Sequence, residues 1–243
     1  MSNFEVTIYE KKDNIAYVTL NRPKALNAYN MKMRDELYQL LGAIRDDPEV
    51  KVAIFKGAGE KAFCAGADLT EFLSAPSPVI ARQVRFERPI WELFLSVPKP
   101  LIAALHGYVL GSGMEMALCC DIRVASEDAQ FGLPEVGLGL IPAAGGSQTL
   151  PRVVGRTPAL EMLLTGRLVK ADEALRLKLV NHIVPKLELL PTVEKIANRI
   201  ASYDPEVVAT AKQALTRGLD LSLQQGLELE AELAACLRMG RKK

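Results

Sequence analysis

The chain has 243 residues, with 30 Lys and Arg against 29 Asp and Glu, a net charge of +1, and 49% hydrophobic positions. A chain of this length buries about 70% or more of the surface its unfolded form exposes, so it needs neither disulfides nor metal to fold. The near-neutral charge removes the electrostatic footprint of a dedicated nucleic-acid binder, and the hydrophobic fraction excludes wholesale disorder.

In chain order, two strands are predicted around Phe4 to Tyr9 and Ile15 to Leu20, joined by the polar Glu10-Lys11-Lys12-Asp13-Asn14. The turn Asn21-Arg22-Pro23-Lys24 leads to a helix starting near Asn30. Its apolar face, Leu37, Leu40, Leu41 and Ile44, has the i, i+3, i+4, i+7 spacing of a helix, and Asp46-Asp47-Pro48 ends it. Val52 to Phe55 is a short buried strand running into Gly57-Ala58-Gly59. The unit then returns, with a strand at Pro100 to Leu105, a helix at Gly113 to Cys120 and a strand at Ile122 to Ala125. Short strands alternating with helices define an α/β fold with several small crossing sheets. From about Glu188 the pattern is helical only, over Val193 to Ala201, Pro205 to Arg217 and Leu221 to Met239. The last is rich in Leu and Glu, with more apolar positions than one packing face needs. It reads as a subunit-contact region, or as a helical lid over the core.

The longest uncharged stretches, Pro100 to Met114 and Val136 to Pro151, fall short of the roughly 20 apolar residues of a membrane span. No apolar run follows Met1-Ser2-Asn3-Phe4-Glu5, as it would in a signal peptide. Cys64, Cys119, Cys120 and Cys236 form no C-x-x-C pair and read as small hydrophobes in a reduced cytoplasm. With only His106 and His182, a His-rich zinc site is not expected, and His106 reads as a hydrogen-bonded residue at a strand end.

Two motifs mislead. Gly57-Ala58-Gly59-Glu60-Lys61-Ala62 fits the dinucleotide pattern G-x-G-x-x-A after a strand, but a second small-residue loop follows instead of a helix. Gly145-Gly146-Ser147-Gln148-Thr149 lacks the final Gly of a nucleophile elbow.

The informative stretches are Lys61 to Leu69 and Gly107 to Glu115, each a strand end, then small residues, then a predicted helix. Small residues let a ligand approach the backbone, and free N–H groups at a helix start favour negative charge. Two such loops converging would form an oxyanion hole from main-chain donors. The same glycines would equally serve two tight turns. Glu115 lies among Met114, Met116, Ala117, Leu118, Cys119 and Cys120, and Glu135 lies in the apolar run Phe131 to Leu138. Two acids meeting in apolar surroundings have their pKa values pushed apart, which gives one proton donor and one acceptor. The competing reading pairs each with a basic residue, such as Arg123 or Arg152.

With these residues the sequence resembles the crotonase superfamily, and most closely enoyl-CoA hydratases. The resemblance runs through Leu20 to Ala28, Phe63 to Leu69, Gly107 to Asp121, Phe131 to Glu135, and Ile141-Pro142 to Gly145-Gly146. It implies a spiral of ββα units with perpendicular sheets over residues 1–187. It also implies a C-terminal helical trimerisation region over 188–243, forming trimers or pairs of trimers. The implied ligand is a coenzyme A thioester of fatty acid metabolism, with CoA as part of the substrate and no separate cofactor or metal. By position, Ala67 and Ser112 match the oxyanion-hole N–H donors, and Glu115 and Glu135 match the acid/base pair that adds water across the α,β double bond. Lys24, Ala25 and Leu26 match a segment near the CoA nucleotide and pantetheine, while Ala65 and the run Ala67, Asp68, Leu69 and Thr70 match substrate contacts. Ser112 stands where the family often has Gly. The chain given stops at Lys243, where many hydratases continue into a further helical segment. Ser74 to Trp91, with Arg82, Arg85, Glu87 and Arg88, is expected to shape the acyl pocket. Other reactions of CoA thioesters, such as double-bond isomerisation or hydration of a cyclic dienoyl-CoA, are the alternatives within the superfamily. A non-catalytic RNA- or CoA-binding protein is the alternative outside it. Cytoplasmic location and the absence of nucleic-acid and membrane partners complete the expectation.

Overall fold

The computed structural model of the chain describes residues 4–72 and 88–240. Strands β1 (Thr7–Lys12) and β2 (Ile15–Leu20) form an antiparallel hairpin. Asp13 and Asn14 turn it with φ of 50° and 65°, the left-handed conformation that a two-residue hairpin needs and that Asx residues tolerate. Most of the polar stretch expected to be a connection is therefore strand. β1 is the sheet edge, and Glu10, Lys11 and Lys12 stand exposed there, where charge protects an open edge from pairing with another chain.

Helix α1 (Met31–Asp46) begins after Asn30, whose Oδ1 accepts the Met33 N–H at 2.9 Å and caps the first turn. It buries Leu37, Leu40, Leu41 and Ile44, the face set by the sequence period.

After β3 (Val52–Gly57) the chain alternates between two sheets. β3, β5 (Leu101–Leu105), β7 (Ile122–Ser126) and β10 (His182–Val184) join the hairpin in a six-stranded sheet of order β1-β2-β3-β5-β7-β10, parallel from β2 onward. β4 (Ala62–Cys64), β6 (Tyr108–Leu110), β8 (Gln130–Gly132) and β9 (Val169–Lys170) form the second sheet in that order, with β4, β6 and β8 parallel. Each pair of strands is followed by helix. α2 (Leu69–Phe72) and α3 (Ile90–Ser96) follow β4, α4 (Ser112–Cys119) follows β6, α5 (Gly146–Val154) with α6 (Arg156–Thr165) follows β8, and α7 (Ala171–Arg176) follows β9. This is the spiral of ββα units, and its chain path is α/β with two sheets. The C-terminal ends of β4, β6 and β8 lie side by side, so the loops leaving Cys64, Leu110 and Gly132 emerge at one edge, where parallel sheets place their ligands.

Both faces of the six-stranded sheet are covered, which is why its strands read as continuous apolar runs rather than alternating ones. Ala53 and Phe55 point into the main core, where Phe55 meets Phe94 of α3 with ring centroids 5.2 Å apart. Val52, Ile54, Ile102, Ala104 and Val124 point to the other face, against Leu189, Val193 and Ala197 of α8 (Leu189–Ala201). The first helix of the tail is thus packed on the sheet. The next two, α9 (Pro205–Gly218) and α10 (Leu223–Gly240), pack on each other and bury none of their described residues fully. Lys212 ties α9 to the core by donating to Asp121 at 2.7 Å and to the Lys99 carbonyl at 3.0 Å.

Between β2 and α1 the chain makes a 3-10 turn, Pro23–Ala25, and then holds Leu26 and Asn27 at φ of 52° and 55°. Asn27 is 0% exposed. Its Nδ2 donates to the Ala58 and Ala62 carbonyls at 2.9 and 2.8 Å, and its Oδ1 accepts the Arg22 N–H at 2.9 Å. Asn27→Ala leaves these backbone groups without a partner at a left-handed position that suits Asn. A loss of about 3 kcal/mol is expected in urea denaturation, read as a lower midpoint at unchanged slope.

Candidate active site

The site is built where the loops after β4, β6 and β8 meet. In the first, the Tyr29 N–H donates to Gly66 O at 2.8 Å and the Asp68 N–H donates to Tyr29 O at 2.7 Å. These two bonds straddle Ala67 in a parallel bridge to Tyr29, which turns the N–H of Ala67 away from Tyr29. That N–H has no acceptor among the described residues. In the second loop, Gly111 (φ 48°, ψ −123°) precedes Ser112, the first residue of α4. A first-turn N–H has no partner within its own helix, and Ser112 N–H finds none elsewhere among the described residues.

The two loops are in contact, and glycine is what permits it. A Cβ on Gly113 would stand 2.2 Å from the Cys64 carbonyl oxygen. One on Gly111 would stand 3.4 Å from Gly66 Cα and 3.1 Å from Glu135 Oε1, at a φ that other residues avoid. Glu135, in the 3-10 turn Pro134–Leu138, is thereby placed at the junction of both loops.

Glu115, one turn into α4, is 2% exposed. Its Oε1 accepts the N–H groups of Ala144 and Gly146, both at 2.9 Å. Gly146 opens α5, whose N-cap Gly145 has no side chain to satisfy the first-turn donors. The carboxylate of Glu115 does so from a neighbouring helix, and the positive end of α5 suits a negative charge there. Glu135 has a different setting. Its Oε2 is buried with no hydrogen-bond partner among the described residues. Burial pushes its carboxyl above the usual carboxylate range, against a smaller lowering by its own backbone N–H.

Neither arginine weighed as a partner takes that role. Arg123 donates to the Leu179 and Cys120 carbonyls, and Arg152 donates to the Gln148 carbonyl and lies 3.7 Å from Asp220. His106 is a strand-end residue whose Nε2 lies 3.0 Å from Gly59 O. Cys64 is buried against the site, and desolvation pushes its thiol up to about 11, which leaves it no nucleophile at neutral pH. The G-x-G-x-x-A stretch runs into β4, not into a helix.

Lys24 and Leu26 line a cleft of about 270 Å³ with Pro23, Asn27, Ala58 and Lys61, and Lys24 and Ala25 are exposed. The Ala65 N–H donates to Leu26 O at 3.0 Å, so this turn abuts the first loop. Asp68 directs Oδ2 to Arg22 and Oδ1 to Thr70, while Leu69 is exposed. Of the segment expected to shape the acyl pocket, Arg82, Arg85 and Glu87 lie outside the described residues. Trp91 lies within them, its ring centroid 5.6 Å from that of Tyr29. Sequence reasoning missed the Ala144 and Gly146 donors and the Arg22–Asp68 ion pair. The signal for the former was the small-residue run Pro142 to Gly146 ahead of a helix. Among the described residues no cluster of His, Cys, Asp and Glu could hold a metal ion, and no helix is long and apolar enough to cross a membrane.

Known proteins resemble the chain over most of its length. The family described as enoyl-CoA hydratase/isomerase matches residues 10–238. The short-chain-enoyl-CoA hydratase of Clostridium acetobutylicum is 44% identical over 225 residues, 93% of this chain and 86% of that protein. The crotonyl-CoA hydratase of Syntrophomonas wolfei is 42% identical over 230 residues, 94% of this chain and 88% of its own. The crystal structure of an enoyl-CoA hydratase from Bacillus anthracis superposes with a TM-score of 0.91 at 37% identity, covering 95% of this chain and 90% of that one. The chain belongs to the enoyl-CoA hydratase/isomerase family and has the crotonase fold.

The setting of Glu135 carries a stability signature. Its raised carboxyl pKa means that the folded state loses stability as pH rises from the unfolded carboxylate value through the folded one. Glu135→Gln removes that loss. Its melting temperature is expected to exceed that of the parent chain at pH 8, with the difference closing below pH ~4, where both forms are uncharged. Thermal melts at the two pH values check this.

Proposed function

We propose that this protein adds water across the α,β double bond of enoyl-CoA thioesters, or removes it from 3-hydroxyacyl-CoA. The observation that supports this most is the junction at Gly111. The loops that carry two N–H groups without acceptors among the described residues touch there, Glu135 Oε1 faces it, and Glu115 stands one helical turn along α4 on the Ala144 and Gly146 donors. In this reading Ala67 and Ser112 donate to the thioester oxygen and draw electron density from Cβ. Glu115, held through Oε1 by Ala144 and Gly146, takes a proton from water as the water oxygen bonds to Cβ. The π electrons move toward the thioester oxygen, and the enolate formed there is held by the two N–H donors. Glu135, protonated because of its burial, delivers its proton to Cα. Water has then been added as OH at Cβ and H at Cα. The protons on the two glutamates return to their starting places by exchange with solvent water. The reaction calls for no resident cofactor.

The CoA portion of the acyl-CoA substrate would lie along Lys24, Ala25 and Leu26, with Lys24 and Lys61 available to phosphate. Ala65, Leu69 and Thr70 would contact the pantetheine and acyl portions. The exposed Leu215 of α9, Leu219 just after it, and Leu223 and Leu227 of α10 support self-association through residues 188–243, as a trimer or a pair of trimers. The free thiols, three of them buried, suit a cytoplasmic enzyme of fatty acid metabolism.

The test is the ultraviolet absorbance of the conjugated enoyl thioester, followed with crotonyl-CoA. Saturable loss is expected, with kcat reduced about 10²–10⁴-fold in Glu115→Gln and in Glu135→Gln while KM changes little. Unchanged turnover in either variant would remove that residue from the reaction. Since Glu135 must carry a proton, kcat/KM is expected to fall on the alkaline side as pH rises through its raised pKa. A flat alkaline limb would take the donor role from Glu135.

A further inference from the structure

We propose that the Arg22–Asp68 ion pair is a positioning device, which fixes the peptide carrying the Ala67 N–H and couples it to the turn that receives CoA. This rests on the reading that Ala67 donates to the thioester oxygen. Ala67 has only a methyl group and nothing of its own to orient it. On its N-terminal side stands Gly66, at φ 115°, which offers little resistance to rotation. The Tyr29 N–H holds the Gly66 carbonyl of this peptide, and on its C-terminal side Asp68 adds the side-chain restraint.

Asp68 is well placed for this. Its Oδ2 lies 2.8 Å from Arg22 Nη2, and its Oδ1 accepts from Thr70 Oγ1 at 2.6 Å and from the Thr70 N–H at 3.2 Å. These bonds, Thr70 first and Arg22 second, hold its carboxyl below the usual range. The side chains of Arg22 and Asp68 are only 20% and 15% exposed, so the pair is shielded more than a surface ion pair. The other arm of the guanidinium donates to the Ala28 carbonyl. The planar fork thus holds two segments at once, while the main chain of Tyr29 holds the same segments from inside. Arg22 also opens the Pro23–Ala25 turn that lines the cleft with Lys24. A shift of this turn is transmitted to Asp68, and through it to the donor beside Gly66.

The experiment compares Arg22→Met, Asp68→Asn and Arg22→Lys with the parent chain. Displacing an oxyanion donor by a fraction of an ångström is expected to lower kcat for crotonyl-CoA about 10–100-fold in the first two variants. KM is expected to change less than roughly threefold. Arg22→Lys is expected to recover part of the rate, because an ammonium restores the charge but not the fork. Binding supplies the readout that a merely structural role does not move. The affinity ratio of 3-oxobutyryl-CoA as its enolate, with charge on oxygen, to butyryl-CoA is expected to fall by the same factor as kcat. Asp68→Asn keeps the shape of the side chain, so it carries the test if Arg22→Met melts early. A parental kcat and enolate preference in the folded variants would overturn the proposal, as would a higher KM at unchanged kcat. A parent chain with neither hydration nor enolate preference would instead overturn the oxyanion reading, and this proposal with it.

Discussion

The buried carboxylate of Glu115 is the constraint on which the surrounding architecture depends. An acid at 2% exposure among apolar side chains is strongly destabilising unless donors replace its lost water. Those donors are the N–H of Gly146, which opens α5, and that of Ala144 in the connection just before it, so α5 has to begin where α4 presents Glu115. The connection must be small enough to fold over it, which Pro142-Ala143-Ala144-Gly145-Gly146 provides. The same contact completes α5, whose N-cap glycine offers no side-chain acceptor of its own. Two otherwise costly features, a buried charge and an uncapped helix start, thus satisfy each other. The α4–α5 junction and the placement of the carboxylate that the proposed reaction uses therefore share one contact.

Glu135 shows the opposite arrangement within the same ring of loops. Its buried Oε2 has no partner among the described residues, and its carboxyl is shifted toward the protonated form by desolvation. An unsatisfied buried polar atom lowers stability, and such features persist mainly where a ligand or a reaction uses them. The two glutamates differ through backbone placement, not through any charged neighbour that the sequence displays. One meets a helix N-terminus, and the other lies beside Gly111 with its Oε2 buried and unpartnered among the described residues. That asymmetry is what assigns the proton in the proposed reaction.

Much of this was legible in the sequence, and the omissions have physical causes. Asn30 and the Leu37–Ile44 face announced α1 because a cap and a helical period are local properties. Glu115 stood out because a carboxylate on an apolar helix violates the usual partition of charge. Its partner did not stand out. Arginines were the visible candidates, whereas main-chain donors leave no signature except the smallness of the residues around them. Glu10 to Lys12 read as loop because their strand state follows from the hairpin turn at Asp13-Asn14, not from their own propensities. The helix around Val193 to Ala201 was not separated from the one after it because amphipathic period does not say which neighbour a face meets. Only the match of Leu189, Val193 and Ala197 to the second face of the sheet sets α8 apart. Arg22, in a polar turn, carried no mark of the bonds it makes 46 residues away.

The spiral itself explains how such a site can host related chemistries. Each turn sends a strand of the second sheet to the same edge and continues into a loop and a helical segment. Successive turns therefore deliver comparable loops side by side, after Cys64, Leu110 and Gly132. In the proposed reading the first two supply backbone N–H groups and the third supplies Glu135, while the start of α5 orients Glu115. The donors belong to the main chain and are fixed by the strand ends and by the close approach of Gly113 to Cys64. Exchange of the Glu135 side chain leaves them in place. The carboxylates are side chains and can be exchanged without disturbing the strands that carry the loops. In the proposed reading a fold built this way keeps thioester polarisation constant and varies the proton chemistry beside it, which fits a family whose description spans both hydratases and isomerases.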